Sequence, residues 1–122
     1  MRMVFNILCS STDDHLRNHG FIHIEQGWQL SPAYDIVPQP DMGPEEPRQL
    51  TLGVGMNGSR EATLQNALSS CGVFGIPKEE GEKIIDQMKT KFLSRWEHVY
   101  TKYGVPRKDF PGLAEAFVNH LR

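Results

Sequence analysis

A stripe of apolar residues at helical spacing constrains the fold of this 122-residue chain more than any other feature. It consists of Ile84, Ile85, Met88, Phe92, Trp96, Val99 and Tyr103. That period predicts one long amphipathic helix. Pro77 suits its first turn, and Gly104 and Pro106 end it. Since an aromatic stripe of this width has to be buried against other elements, we expect it in the core of a mainly helical fold.

Other stretches of the chain also carry helical periodicity. The first eleven residues predict an amphipathic helix whose apolar face is Met3, Val4, Ile7 and Leu8. From about Ser59 a second helical pattern runs to Gly72, a candidate for the left-handed position after a helix. Its apolar positions are Leu64, Leu68 and Cys71. Asp109 is a candidate cap for a last helix that begins near Pro111 and buries Leu113, Phe117 and Leu121.

A small β element is predicted between the first two helices. Two strand-like runs, 21–24 and 28–30, flank a turn at 25–27, which is the pattern of a β-hairpin. Residues 37–48 follow with four prolines in twelve positions, so they form a loop. The expected fold class is therefore mainly α with a small β-hairpin element.

Net charge, cysteine spacing and the lack of long apolar runs limit the expected partners and location of the protein. A net charge of −2 gives no overall attraction to nucleic acid or to anionic lipid. Cys9 and Cys71 lack C-x-x-C spacing and lie in apolar helix-like stretches, so we expect buried free thiols. With no signal peptide and no run of eighteen apolar residues, a cytoplasmic protein without membrane contact is expected. The opening helix lacks an N-cap residue, which suggests the back part of a longer chain.

The polar stretch "STDDHLRNHGFIHI" at residues 11–24 allows three interpretations. His15, His19 and His23 are spaced four apart, as imidazole ligands of zinc can be on a helix. Gly20 and the strand pattern after it break such a helix before the third histidine. Alternatively, the acidic and amide side chains simply cap and solvate a turn. The third interpretation starts from the spacing of Asp13 and Asn18.

Asp13 and Asn18 form D-x-x-x-x-N, the spacing of a protein-kinase catalytic loop. In such a loop the aspartate orients the substrate hydroxyl and the asparagine holds Mg²⁺. A second metal-binding carboxylate is expected after a short hairpin. Asp35 lies twenty-two positions beyond Asp13, past the predicted hairpin, where kinases carry the aspartate of D-F-G.

The run "FNILCSSTDDHLRNHGFI" followed by "GWQLSPAYDIVP" closely resembles the HipA family of bacterial serine/threonine kinases, the toxins of HipA–HipB toxin–antitoxin systems. That family shows an aliphatic helix, a T-D-x-H-x-K/R-N loop, a strand pair and then L-x-P-x-Y-D. The match is specific over about the first forty residues, and the later helices resemble the family's C-terminal lobe more loosely. The resemblance implies that residues 1–122 are a HipA-like C-terminal catalytic-lobe domain whose N-terminal lobe is absent.

Carried over residue by residue, the resemblance makes Asp13 the catalytic aspartate and Asn18 and Asp35 the Mg²⁺ ligands. His15 matches the loop histidine, and Arg17 stands where many members have lysine, so both are expected to support the loop or contact phosphate. The sequence departs from the family at Cys9-Ser10-Ser11, where an aliphatic-Gly-Asn run is common. This departure affects the support of the loop more than its chemistry.

The resemblance further implies ATP as phosphoryl donor, a protein substrate such as an aminoacyl-tRNA synthetase, and a DNA-binding HipB-like antitoxin as partner. The chain alone is expected to be inactive, because the family builds its nucleotide-binding parts upstream of this loop. A non-catalytic, truncated kinase-like interaction module is the alternative.

A G-x-G-x-x-G at residues 53–58 follows a strand-like run and precedes a helical pattern, as a dinucleotide fingerprint does. No ribose-binding acid on a second strand follows about twenty residues later. A kinase glycine loop would precede the catalytic loop. Asn57-Gly58 also favours a turn. We therefore interpret these glycines as a turn.

Overall fold

The computed structural model describes residues 1–40 and 48–118, including the backbone but not the side chain of Val118. Its helices and strands, in chain order, are α1 (Arg2–Leu8), β1 (Phe21–Ile24), β2 (Gly27–Leu30), α2 (Leu64–Ser69), α3 (Lys78–Lys102) and α4 (Phe110–Val118). The predicted mainly helical fold with one β-hairpin is confirmed.

The long helix α3 begins and ends where the sequence predicts. Pro77 is its N-cap residue, and glutamates occupy its first turn, where they interact favourably with the helix dipole. At the other end Gly104 has φ 78°, and its N–H donates to the carbonyl of Thr101. The N–H of Val105 donates to the carbonyl of Tyr100. These two bonds form a Schellman motif, which only a residue free to adopt positive φ allows without strain.

One part of the core lies between α1, α2 and α3. The predicted apolar face of α1 is buried at Val4, Ile7 and Leu8. It packs against buried side chains from the loops and from α2, namely Leu50, Val54, Ala62 and Ala67. The first half of α3 contributes side chains that are partly buried, among them Ile85, Met88 and Phe92. The sequence therefore predicted this face of α1 correctly.

An aromatic cluster joins the second half of α3 to α4. Edge-to-face and tilted ring contacts, with centroids 5.1–5.7 Å apart, link Phe92, Trp96, Tyr100, Phe110 and Phe117. The prediction of a buried position was wrong for Val99 and for Tyr103, which are 38% and 75% exposed. The Schellman turn leaves Tyr103 outside, and the half-buried Tyr100 supplies the ring that contacts Phe110.

Other predicted helix limits also shift. Thr63 caps α2 by accepting a hydrogen bond from the backbone N–H of Asn66, so that helix starts later than Ser59. A short 3₁₀ turn then extends to Phe74, and Gly75, at φ 68°, takes the left-handed position predicted for Gly72. Asp109 lies in a 3₁₀ turn before α4, which begins at Phe110. Phe117 is buried, whereas Leu121 and part of the proline-rich loop, 41–47, lie outside the described residues.

The hairpin pairs β1 and β2 in antiparallel register, with Phe21 opposite Leu30 and His23 opposite Trp28. Side chains directly opposite each other share a face of the sheet. These four therefore form one face, and Phe21, Trp28 and Leu30 on it are 66, 72 and 50% exposed. The hairpin thus presents an apolar face to solvent.

Two smaller expectations can be compared with the structure. Cys9 and Cys71 are both free thiols, the first buried and the second half-buried. No helix in the described portion combines the length and the apolar character required to span a membrane.

Candidate catalytic loop

Residues 9–20 form a loop between α1 and β1 that carries most of the predicted site residues. The side-chain amide of Asn18 donates from Nδ2 to the backbone carbonyl of Asp13, at 2.9 Å. A 3₁₀ turn over Leu16–Asn18 shortens the path between them. The two ends of D-x-x-x-x-N are therefore held together. Because Nδ2 is the donor in this bond, the oxygen Oδ1 is the amide atom available to a cation.

The two adjacent aspartates occupy opposite environments. The side chain of Asp13 is 70% exposed, as a group that acts on a substrate has to be. Asp14 is buried, and its Oδ1 accepts hydrogen bonds from the backbone N–H groups of Thr51 (2.7 Å) and Leu52 (3.1 Å). Asp14 thus fastens the loop to a segment nearly forty residues away. Sequence reasoning did not identify this role, because nothing in the sequence indicates which aspartate faces inward.

His15 lies beside the predicted catalytic aspartate. Its Nε2 is 3.8 Å from Oδ1 of Asp13, longer than a hydrogen bond. Its side chain is 26% exposed, and its buried Nδ1 has no hydrogen-bond partner among the described residues. A small closing movement would bring His15 and Asp13 into hydrogen-bond contact, as catalytic groups often require on substrate binding.

Arg17 contributes its backbone to the loop and leaves its side chain exposed. Its carbonyl accepts a 2.6 Å hydrogen bond from the hydroxyl of Tyr34, in the "SPAYD" segment. The side chain of Arg17 is therefore accessible for the predicted phosphate contact. Tyr34, which directly precedes Asp35, bonds the Asp35 segment to the loop.

Asp35 is exposed and lies in a segment that returns along the loop after the hairpin. The N–H of Ser31 donates to the carbonyl of Gly20 (2.8 Å) before Asp35. After it, the N–H of Val37 donates to Oγ of Ser11 (3.2 Å). Asp35 has φ 54°, in the left-handed region, which aspartate tolerates better than most residues. The structure thus bonds this segment to the loop on both sides of Asp35.

A buried arginine, Arg48, bonds the start of the loop to α4. Arg48 donates from Nη1 to Oγ of Ser10 and to the carbonyl of Ala116, near the end of α4. Burial lowers the pKa of Arg48 below its usual value. Ser10 has φ 54°, a backbone conformation that favours glycine, and its hydroxyl takes part in the arginine contact.

The histidines do not converge. Nδ1 of His19 lies 3.2 Å from the carbonyl of His15, and the ring of His23 packs edge-on against Trp28 at 5.1 Å. Among the described residues, no group of three or more His, Cys, Asp or Glu side chains is placed to hold a metal. The zinc interpretation therefore has no site in the described ranges.

The glycines at 53–58 form the turn that we predicted. The N–H groups of Val54 and Gly55 both donate to the carbonyl of Ser59, so they are committed within the turn. Asn57 and Gly58 adopt positive φ, at 59° and 76°. A Cβ on Gly55 would overlap the side-chain amide of Asn66, so a side chain of this chain covers that glycine. This arrangement differs from an open phosphate cradle.

A comparison with protein-family models finds a match over residues 1–96, described as HipA-like C-terminal domain. No match is found among curated proteins or among solved structures.

Proposed function

The chain belongs to the HipA-like C-terminal domain family, and on that premise we propose that it supplies the catalytic loop of a serine/threonine protein kinase. In this proposal the parent enzyme transfers the γ-phosphoryl group of ATP to a hydroxyl of a protein substrate. The observation that carries the proposal is the closed loop, in which the Asn18 side chain is bonded to the Asp13 backbone.

Asp13 orients the attacking hydroxyl in this proposal. Its carboxylate is exposed at the surface of the loop, while the adjacent Asp14 fixes the backbone beneath it. Phosphoryl transfer depends mainly on positioning and on charge stabilisation, so a fixed backbone below an accessible carboxylate suits the reaction.

Asn18 and Asp35 are the proposed Mg²⁺ ligands. They offer an amide oxygen and a carboxylate, and both are hard oxygen donors of the type that Mg²⁺ prefers. Bound Mg²⁺ would neutralise charge on the ATP phosphates. The hydrogen bonds on both sides of Asp35 support the view that its segment and the loop act as one unit.

His15 and Arg17 have supporting roles. His15 is close enough to Asp13 to hold its carboxylate in one orientation after a small movement. The exposed guanidinium of Arg17 is free to contact a phosphate oxygen as a two-pronged donor, which a lysine at this position could not reproduce.

We also propose the biological setting implied by the family: a toxin of a toxin–antitoxin system, with a HipB-like DNA-binding antitoxin as partner. In this proposal another part of the parent protein supplies the lysine and the phosphate-covering element. The 122-residue chain alone then binds Mg²⁺ weakly and does not phosphorylate. Magnesium-dependent autophosphorylation by the chain, lost in Asp13→Asn, would contradict this part of the proposal.

The metal ligands can be tested in the chain itself. Mn²⁺ substitutes for Mg²⁺ and broadens nearby NMR signals, so titrating it should broaden amide resonances around 13–18 and 35 first. Asp35→Asn and Asn18→Ala should each weaken this binding about tenfold, equivalent to about 1.4 kcal/mol. Asp86→Asn, an exposed aspartate on α3, is the matched control and should change nothing. Broadening that is unaffected by Asp35→Asn would remove Asp35 from the site.

The interaction-module alternative is favoured by a separate observation, the exposed apolar face of the hairpin. An apolar surface of this kind is typical of contact sites between proteins. Calorimetry with Mg²⁺–ATP and with Zn²⁺ distinguishes the possibilities. If neither ligand binds and Asp35→Asn leaves the Mn²⁺ broadening unchanged, the interaction module is favoured, whereas sub-micromolar zinc binding would restore the histidine interpretation.

A further inference from the structure

A deep groove lies between α1, the segment around Ala33–Pro38 and the second half of α3. Its volume is about 870 Å³, and its surface is almost wholly apolar. The aromatic side chains that line it are Phe5, Phe92, Trp96, Tyr100 and Phe117. Among the described residues the predicted core stripe of α3 is covered on one side only, and the rest of it borders this groove. A groove of this size can receive several side chains of a partner.

The charges at the groove have one sign. Arg2, Lys91 and Arg95 line it, and no acidic residue is among its described lining residues. Lys91 and Arg95 are exposed and lie four positions apart on α3, so they occupy the same face of that helix. This local positive charge contrasts with the net charge of −2 of the whole chain.

Arg2 adds an unused donor. Its Nη2 donates to the carbonyl of Ser31, whereas its Nη1 is buried and finds no acceptor among the described residues. A buried donor without a partner is costly, and a shift of the Arg2 side chain toward a carboxylate in the groove would satisfy it.

We propose that this groove binds an acidic amphipathic helix of a partner protein, independently of phosphoryl transfer. Apolar side chains spaced i, i+3, i+4 and i+7 enter the groove between the aromatic rings. Glutamate or aspartate side chains that flank them pair with Lys91, Arg95 and Arg2. A second copy of the chain would offer the exposed apolar face of its hairpin instead, and the tests below separate this outcome from binding of a helix.

Trp96 makes the proposal measurable, because it lines the groove and the chain has only one other tryptophan. Trp28→Phe removes the exposed indole of the hairpin and leaves Trp96 as the reporter. The probe is a synthetic sixteen-residue helical peptide with leucines at i, i+3, i+4 and i+7 and flanking glutamates. The matched control peptide has lysine in place of each glutamate. The glutamate peptide should shift Trp96 emission to the blue and bind about tenfold more tightly than the lysine peptide. This difference in affinity should shrink in high salt.

Reversal of the groove charge gives the sharper test. Lys91→Glu with Arg95→Glu should invert the preference, so that the lysine peptide binds better. Both residues are exposed, and circular dichroism checks that the fold is retained. Val99→Asp, which places a charge on the apolar surface of the groove, should weaken both peptides.

Four outcomes would overturn the proposal. One is equal binding of the two peptides, and another is binding of neither. The third is an unchanged preference after charge reversal. The fourth is occupancy by a different class of ligand. Decanoate that shifts Trp96 emission while both peptides fail would indicate a small anionic amphiphile, and dimerisation that buries Trp96 would indicate a second copy of the chain.

Discussion

The loop at residues 9–20 and the hairpin at residues 21–30 are consecutive in the chain but are held in different ways. Polar contacts fasten the loop to three distant segments, through Asp14, Ser11 and Ser10. The hairpin is bonded mainly within itself, and its apolar side chains are largely exposed. A bond between Gly20 and Ser31 closes its base.

The two modes of attachment suit two different tasks: the loop orients reacting groups, and the hairpin face contacts other molecules. A loop that orients a reacting hydroxyl has to be rigid before the substrate arrives, and buried polar bonds give it that rigidity. An isolated two-stranded hairpin is marginally stable, and it becomes ordered against whatever covers its apolar face. We therefore expect mutations of the buried groups that hold the loop to change stability, and mutations on the hairpin face to change association with other molecules.

The largest expected contrast is between two aromatic side chains. Phe117→Ala removes a fully buried ring of the aromatic cluster, and we expect a loss of about 3–5 kcal/mol in the free energy of unfolding. Trp28→Ala removes a larger ring that is 72% exposed, and it should cost less than about 1 kcal/mol. Urea denaturation of both variants measures the contrast. Similar losses would show that the hairpin face is buried in solution.

The two aspartates give the next contrast. Asp14→Ala deletes a buried carboxylate that accepts two backbone N–H groups, and it should cost about 2–3 kcal/mol. Asp13→Ala is the matched control, and it should change stability by less than about 0.5 kcal/mol because that side chain is exposed. Thermal unfolding of the pair provides the measurement. A larger loss from Asp13→Ala would reverse the assignment of the two roles.

A pH dependence is expected at the start of the loop. Burial raises the pKa of the Cys9 thiol from 9.0 to about 11. The unfolded chain therefore releases this proton first as the pH rises, and the folded state loses stability between pH 9 and 11. The loss attributable to Cys9 is roughly 2 kcal/mol.

Urea denaturation at pH 8 and pH 11 measures this loss, and Cys9→Ala is the control. The variant should show a smaller decline over that range. Burial also raises the pKa of Tyr100, so part of the decline should persist in the variant. Equal declines in the two proteins would mean that the Cys9 thiol titrates normally.

The smallest expected effect concerns the connection between the loop and the Asp35 segment. Tyr34→Phe removes one hydroxyl that donates to the carbonyl of Arg17 at a half-exposed position, and it should cost about 0.5–1 kcal/mol. Amide exchange should quicken near residues 17–20 and 34–37 while α3 keeps its protection. Faster exchange across α3 as well would mean that Tyr34 supports the whole domain.

The sequence predicted the elements that depend on local pattern. The 3.6-residue period placed α1 and α3, and a turn between two apolar runs placed the hairpin. Local pattern also gave the spacing of Asp13 and Asn18, which the structure closes with a direct bond.

The remaining features depend on contacts between distant residues. In the sequence nothing distinguishes Arg48 from an exposed cation of a loop. Its burial follows from its contact with the end of α4. The exposure of Tyr103 follows from the direction in which the chain leaves Gly104. The groove arises because α1 and α4 cover only part of the α3 stripe, and helical periodicity alone does not give the extent of that cover.

The positive φ of Asp35 restricts which substitutions natural drift can fix at that position. Its backbone conformation favours Gly, Asn and Asp, while a metal ligand there requires a side-chain oxygen. Asp satisfies both requirements, and Asn does so with an uncharged oxygen that binds the metal more weakly. Glutamate keeps the charge but lacks the short side chain that tolerates this conformation. Among relatives that retain both this turn and its ligand role, position 35 should therefore vary between Asp and Asn and exclude Glu.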